Sequence, residues 1–150
     1  MKMSLEKWLE YGWLRREPSS ANEIKALQGI VQRSLDDSKV EAISADLRFV
    51  ASFTAALTAA TIALRAAGYR TVMQTGHHAK IIESLELTIH ADSKLIQKLK
   101  VLSNKRNKSI YDAAGAVSDQ DLKEIAKVAT ELHRQVTLWL SKSHPELLKG

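Results

Sequence analysis

The chain has 150 residues, a length that suits one domain with a single hydrophobic core. It contains no cysteine, which excludes disulfides, thiol catalysis and zinc–thiolate sites. Its 22 Lys and Arg residues against 17 Asp and Glu residues give a net charge of +5, which permits a nucleic-acid or acidic protein partner without requiring one.

A cytoplasmic location without membrane attachment is expected. Residues 1–8 are charged and lack the apolar run of a signal peptide. The longest apolar stretch, residues 55–67, is interrupted by Thr58, Thr61 and Arg65. We expect it to be too short and too polar to span a membrane.

Helical periodicity extends over almost the whole chain, and no alternating strand pattern is recognised. The sequence therefore predicts an all-α fold, an up-and-down antiparallel four-helix bundle with additional short helices. Residues 1–18 are expected to form a short helix, about 5–15, docked on a bundle of residues 19–150. Pro18 ends the short helix, and Ser20 opens the next with capping-box spacing.

The third helix, from about Ser44 to Ala67, is predicted to be the structural centre because it has two apolar faces. One face runs from Ile43 and Leu47 toward Leu64, and the other is rich in alanine. Asp46 lies beside Ile43 and Leu47 and interrupts the first face, which points inward in this interpretation.

Residues 68–71 are expected to lead into a loop, and residues 75–78, which include His77 and His78, to open a helix that continues through Ile89. Paired histidines can bind a metal, but no Asp, Glu or Cys stands near them at ligand spacing. We predict a helix-start role for the pair, and no metal site.

The fifth helix, capped by Asp92 and Ser93, aims an arginine at its buried side. Its apolar stripe of leucines continues to Arg106 in steps of three and four. A buried guanidinium costs several kcal/mol, of order 3–5, unless a partner compensates it. Either a carboxylate, for which Asp46 is the best candidate, or a solvent-filled cleft with a ligand must provide that compensation.

Other polar side chains surround Arg106 in sequence. Asn107 and Tyr111 are four residues apart and lie on an adjacent strip of the helix. Lys98, Lys105 and Lys108 belong to a cluster of basic residues in 94–108 that suits either phosphate binding or a solvated surface. The last helix is predicted to open at Ser118 and to stop at Pro145.

Six sequence segments stand out as a set. They are Asp46-Leu47-Arg48-Phe49, Ala63-Leu64-Arg65-Ala66-Ala67-Gly68-Tyr69-Arg70, Gly76-His77-His78, Lys105-Arg106-Asn107-Lys108-Ser109-Ile110-Tyr111, Trp139-Leu140 and His144-Pro145-Glu146-Leu147. In these segments the chain resembles HEPN-domain proteins, the helical bundle also seen in nucleotidyltransferase substrate-binding domains. The resemblance covers about residues 21–147.

The resemblance implies an RNA-directed function. Many HEPN proteins are metal-independent ribonucleases, often toxins paired with a nucleotidyltransferase-type antitoxin, and two protomers join their sites across a dimer cleft. Arg106 would then bind the phosphate and Asn107 would orient it. The family's catalytic histidine falls at Tyr111, and a tyrosine with a pKa near ~10 is a poor general base at neutral pH.

Three hypotheses follow. The protein is a metal-independent ribonuclease toxin, a non-catalytic HEPN module that binds nucleotide, RNA or a protein partner, or a structural helical adaptor. The first two predict a homodimer, and none needs a cofactor. Lys98, Lys105 and Lys108 would contact RNA, and Asp46 would support the site or pair with Arg106.

Overall fold

The computed structural model describes residues 3–72, 77–111, 115 and 117–149, with the side chains of 108–111 left out. The described chain is mostly helical, which confirms the predicted all-α class. Its elements are α1 (Leu5–Glu10), β1 (Leu14–Arg16), α2 (Ala21–Asp37), α3 (Ala45–Ala66), β2 (Tyr69–Thr71), α4 (His77–Glu83), α5 (Leu85–Thr88), α6 (Ser93–Tyr111), α7 (Asp119–Ser143) and a 3-10 helix (Pro145–Leu148).

A small antiparallel sheet includes residues 69–71, which were expected only to lead into a loop. Strand β1 pairs with β2, so that Leu14 faces Thr71 and Arg16 faces Tyr69. The first helix ends at Glu10, not near residue 15, and Gly12 adopts a positive φ of 78° in the turn that follows. Strands of three residues are too short to produce a recognisable alternation, which is why the sequence pattern missed them.

Helix α3 forms the centre of the core, as predicted. Its alanine-rich face is buried together with Phe49 and Phe53, and the helix packs along α2 and α7. The other predicted face is wrong at its beginning, because Ile43 and Leu47 are 37% and 58% exposed. Ile43 precedes the helix and Leu47 lies in its first turn, soon after the chain has left α2.

By length and composition alone, α3 could cross a membrane, which the shorter stretch 55–67 did not indicate. Within its most apolar window, 56% of the helix is buried by the rest of the protein. A core helix surrounded by other helices has the same composition, so the feature is explained by packing against α2 and α7.

Side-chain caps fix the helix starts. Ser20 accepts a hydrogen bond from the Glu23 backbone, and Ser118 forms a complete capping box with Asp121. The single helix predicted through Ile89 is divided instead, because buried Ser84 donates its hydroxyl to the Ile81 carbonyl at 2.6 Å. The chain restarts as α5 immediately afterwards.

Candidate functional site around Arg106

Helix α6 turns its leucine stripe toward the core and places Arg106 at the edge of it. Leu99 and Leu102 are buried, as the stripe predicted. Arg106 comes next on the same side and is half-buried, with its Cζ atom 5.9 Å from the centre of the Phe53 ring. This cation–π contact compensates part of the cost of burying the guanidinium.

The remaining contacts of Arg106 are few. One Nη1 hydrogen donates to Asn107 Oδ1 at 3.4 Å, so the structure brings these two predicted site residues together. Within the described ranges, no carboxylate forms an ion pair with this guanidinium. The expected pair with Asp46 is not among the ion pairs of the described residues, and it stays a prediction. Asp46 accepts a hydrogen bond from the Gly115 backbone at 2.8 Å.

His78 of a neighbouring helix, α4, lies within electrostatic range of Arg106. Helix α4 packs against α6, and Lys100 pairs with Glu83 at 2.9 Å. Arg106 lies six residues after Lys100 on α6, and His78 and His77 lie five and six residues before Glu83 on α4. Antiparallel packing of the two helices about this contact places these three residues at the same level. The two imidazole rings contact each other edge to face, with centres 4.3 Å apart.

The electrostatics of His78 agree with this placement. Burial lowers the pKa of His78 below its usual range, and the charges of His77 and Arg106 lower it further. A histidine with a lowered pKa is neutral at pH 7 and has a nitrogen lone pair that can accept a proton. The sequence correctly placed the pair at a helix start, but its spacing could not show the approach of α4 to α6.

The predicted lysines do not gather around Arg106. Lys105 extends toward α7, where it pairs with Asp121 at 3.5 Å. Lys98 is exposed on the same side of α6, next to a groove that Lys127 and Glu131 of α7 also line. The side chains of Lys108 and Tyr111 lie outside the described residues, so their predicted roles stay predictions.

A second charged cluster, which the sequence analysis did not recognise, surrounds Arg65 of α3. The Arg65 side chain is only 3% exposed. Its Nε and Nη2 atoms donate to the Glu23 carboxylate at 3.1 and 2.8 Å. Its other hydrogens donate to the carbonyls of Glu17, Pro18 and Tyr69 at 2.6, 3.3 and 3.1 Å. These contacts use all five guanidinium donors.

The Arg65 cluster also includes Arg70, which pairs with Glu17 and Glu23. These hydrogen bonds and charges lower the pKa of both carboxyls, so both are ionised at neutral pH. The cluster attaches the segment after β1 to α3 and leaves no donor on Arg65 for a ligand. A lone arginine within the alanine-rich stretch was the sequence signal that could have revealed it.

The two clusters therefore differ in what they can do chemically. Arg106 retains donors that can bind an anion, next to a neutral imidazole, whereas Arg65 is fully used in structural hydrogen bonds. In the described part of the chain, no three His, Asp or Glu side chains gather in a way that could hold a metal ion. Comparison of the chain with protein-family models, curated proteins and solved structures gives no match.

Proposed function

We propose that the protein is a HEPN-like, RNA-directed protein that binds an RNA phosphate at Arg106. The four long helices α2, α3, α6 and α7 would form the up-and-down bundle of that family. The observation that carries the proposal is the half-buried Arg106, which has donors to spare and lies beside neutral His78. Arginine binds phosphate in a bidentate manner, and a nearby base is what metal-independent RNA cleavage needs.

The chemistry of cleavage can be written with these groups. His78 would take the proton of a ribose 2′-hydroxyl, and the 2′-oxygen would attack the adjacent phosphorus. The bond from phosphorus to the 5′-oxygen would break, that oxygen would leave with a proton from solvent water, and a 2′,3′-cyclic phosphate would remain. Arg106 would stabilise the additional negative charge that develops on the phosphate. This scheme does not depend on the histidine that Tyr111 replaces.

The toxin role, the nucleotidyltransferase-type antitoxin and the homodimer are supported by the resemblance alone. A dimer that joins two copies of the site would place the α6 helices near the two-fold axis. Analytical ultracentrifugation at micromolar concentration checks this assembly. A strictly monomeric protein would remove the shared cleft and leave a site built from one chain.

The alternative is a non-catalytic HEPN module that binds nucleotide, RNA or a protein partner. The observation that favours it is Tyr111, which stands where the family has its histidine. Both versions require Arg106 for binding, but only the first requires a proton acceptor. A purely structural adaptor requires neither.

The test measures RNA binding and RNA cleavage in EDTA for the wild type and for two variants, Arg106→Ala and His78→Gln. We expect Arg106→Ala to lose both properties and His78→Gln to bind RNA without cleaving it. Arg134→Ala is the matched control, since Arg134 is an exposed arginine on α7 that pairs only with Glu131 in the described structure. RNA binding that is equal in Arg106→Ala and in the control would overturn the proposal.

A further inference from the structure

A cleft of 370 Å³ opens between α4, α6 and the N-terminal segment, on the far side of Lys80 from the histidines. This volume lies in the range of small-ligand sites, about 300–1,000 Å³. Its walls combine two indole rings with charged groups of both signs. They include Trp8, Trp13, Lys80, Glu83, Glu86 and Lys100.

Aromatic and cationic groups continue from this cleft in both directions. Tyr11, which is 52% exposed, packs its ring against Trp13 with centres 4.9 Å apart. The ammonium of Lys80 lies 3.7 Å from the centre of the Trp13 ring. Lys80 stands one turn after His77 on α4, His77 contacts His78, and His78 lies within electrostatic range of Arg106. Together these aromatic and basic groups form a series from Tyr11 to Arg106.

The charges of the cleft indicate which part of a nucleotide would enter it. Glu83 pairs with Lys80 at 3.4 Å and with Lys100 at 2.9 Å, so these three charges largely satisfy one another. Glu86 adds a further carboxylate to the wall. The two ammonium groups are therefore already paired and not available to a phosphate, whereas the exocyclic amine of a base can donate to a carboxylate, as cytosine does to Glu or Asp.

We propose that the cleft and Tyr11 form a base-stacking subsite for single-stranded RNA, with the neighbouring phosphates bound toward Arg106. The inference rests on the proposed function and assigns its substrate: an unpaired strand with an amine-bearing base. Along α6, Lys100 and Arg106 are six residues or about 9 Å apart. A short extended strand spans that distance. Stacking on the aromatic side chains holds an unpaired base by its ring, and the carboxylates favour a base that bears an amine.

The test uses fluorescence anisotropy with 2′-O-methyl oligoadenylate, which has no free 2′-hydroxyl and so cannot be cleaved. One probe is about eight nucleotides long and the other is a dinucleotide. We expect Tyr11→Ala to bind the longer probe roughly tenfold more weakly, the loss of one stacked base. Tyr11→Phe should bind it like the wild type, because the ring is kept. The dinucleotide should bind both variants equally, since Tyr11 is separated from Arg106 by about 9 Å along α6 and then by the width of the cleft.

Controls separate this inference from the proposed function. Val101→Ala removes an exposed side chain from α6, 63% accessible, and should leave both affinities unchanged. Arg106→Ala should weaken both probes. If Arg106→Ala weakens them but Tyr11→Ala does not, the subsite is wrong and the phosphate site stands. If only Tyr11→Ala weakens the longer probe, the phosphate site is wrong and the subsite stands. A wild-type protein that binds neither probe overturns both.

Discussion

Arg65 and Arg106 both stand on inward-facing sides of long helices, yet their surroundings differ. Arg65 is almost completely buried and uses every donor on Glu23 and on three backbone carbonyls. Arg106 is half-buried, lies over Phe53 and makes one long hydrogen bond to Asn107. An arginine on an apolar stripe can therefore be a structural connector or a binding group. What distinguishes the two is how many donors the fold has already used.

The largest expected effect is on stability at Arg65. Replacing Arg65 with Ala leaves the Glu23 carboxylate and three carbonyls without their donor, which should cost roughly 3–5 kcal/mol. Arg106→Ala, the matched change, removes mainly a cation–π contact and should cost about 1 kcal/mol or less. Urea denaturation of the two variants and the wild type measures both values. Equal losses would show that the two arginines do not differ in this way.

The second largest effect is expected from acid, which should weaken the Arg65 cluster. The pKa of Glu17 is lowered chiefly by its hydrogen bond from Arg70, and that of Glu23 chiefly by its hydrogen bond from Arg65. Because these carboxyls hold their protons less tightly in the folded state, their contribution is complete above the unfolded pKa of about 4.3. It is lost as the pH falls through the lower folded values.

Urea midpoints measured from pH 7 down to pH 3 test this dependence, at pH values that bracket the ~4.3 of an unfolded Glu. Glu23→Gln should be less stable at neutral pH and should show a shallower decline with acid, because one of the titrating carboxyls is gone. A decline that is as steep in Glu23→Gln as in the wild type would assign the acid sensitivity to other groups.

A smaller, local effect should appear at His78. Arg106→Ala removes one of the positive charges that disfavour the protonated ring, so the pKa of His78 should rise. A proton NMR titration of the imidazole signals measures the shift. His133 is an internal control, because burial alone lowers its pKa. If the His78 and His133 signals titrate as in the wild type, Arg106 does not lie beside His78.

The smallest effect is expected from the lysines. Lys98→Glu and Lys105→Glu change charges on the side of α6 that faces α7, away from His78. They should weaken RNA binding less than Arg106→Ala does and reduce its salt dependence by about one counterion per lost phosphate contact. Losses that exceed the Arg106→Ala loss would move the RNA surface to the α6–α7 side.

The helices were predictable because their signals are local. Ser20 and Ser118 are recognisable as helix caps from the residues that follow them within four positions. The leucines of α6 repeat with helical spacing. The strands were not predictable, since Leu14 and Thr71 meet only after α2 and α3 have folded back on each other. The predicted inward placement of Ile43 and Leu47 was wrong for a similar reason. Periodicity cannot show which turns of a helix have a neighbouring helix packed on them.

The candidate site follows the same division. Arg106 and Asn107 were found because they adjoin each other and the leucine stripe on α6. The approach of His78 depends on how α4 packs, and the use of Arg65 depends on backbone carbonyls at Glu17 and Tyr69. Every residue has a backbone carbonyl, so the residue type does not show which carbonyls accept a hydrogen bond. Sequence patterns therefore indicate which arginines are unusual, but not which of them are already satisfied.

The pairing of β1 with β2 has a consequence for the order of events during synthesis. Residues 14–16 leave the ribosome well before residues 69–71, with the whole of α2 and α3 between them. Strand β1 therefore cannot pair until β2 has been synthesised. Trp8 and Leu14, which are both buried in the folded protein, are exposed until then. Chains emerge at about 5–20 residues per second, so this exposure lasts for seconds. A chaperone that binds nascent apolar segments would find Trp8 and Leu14 accessible during this time.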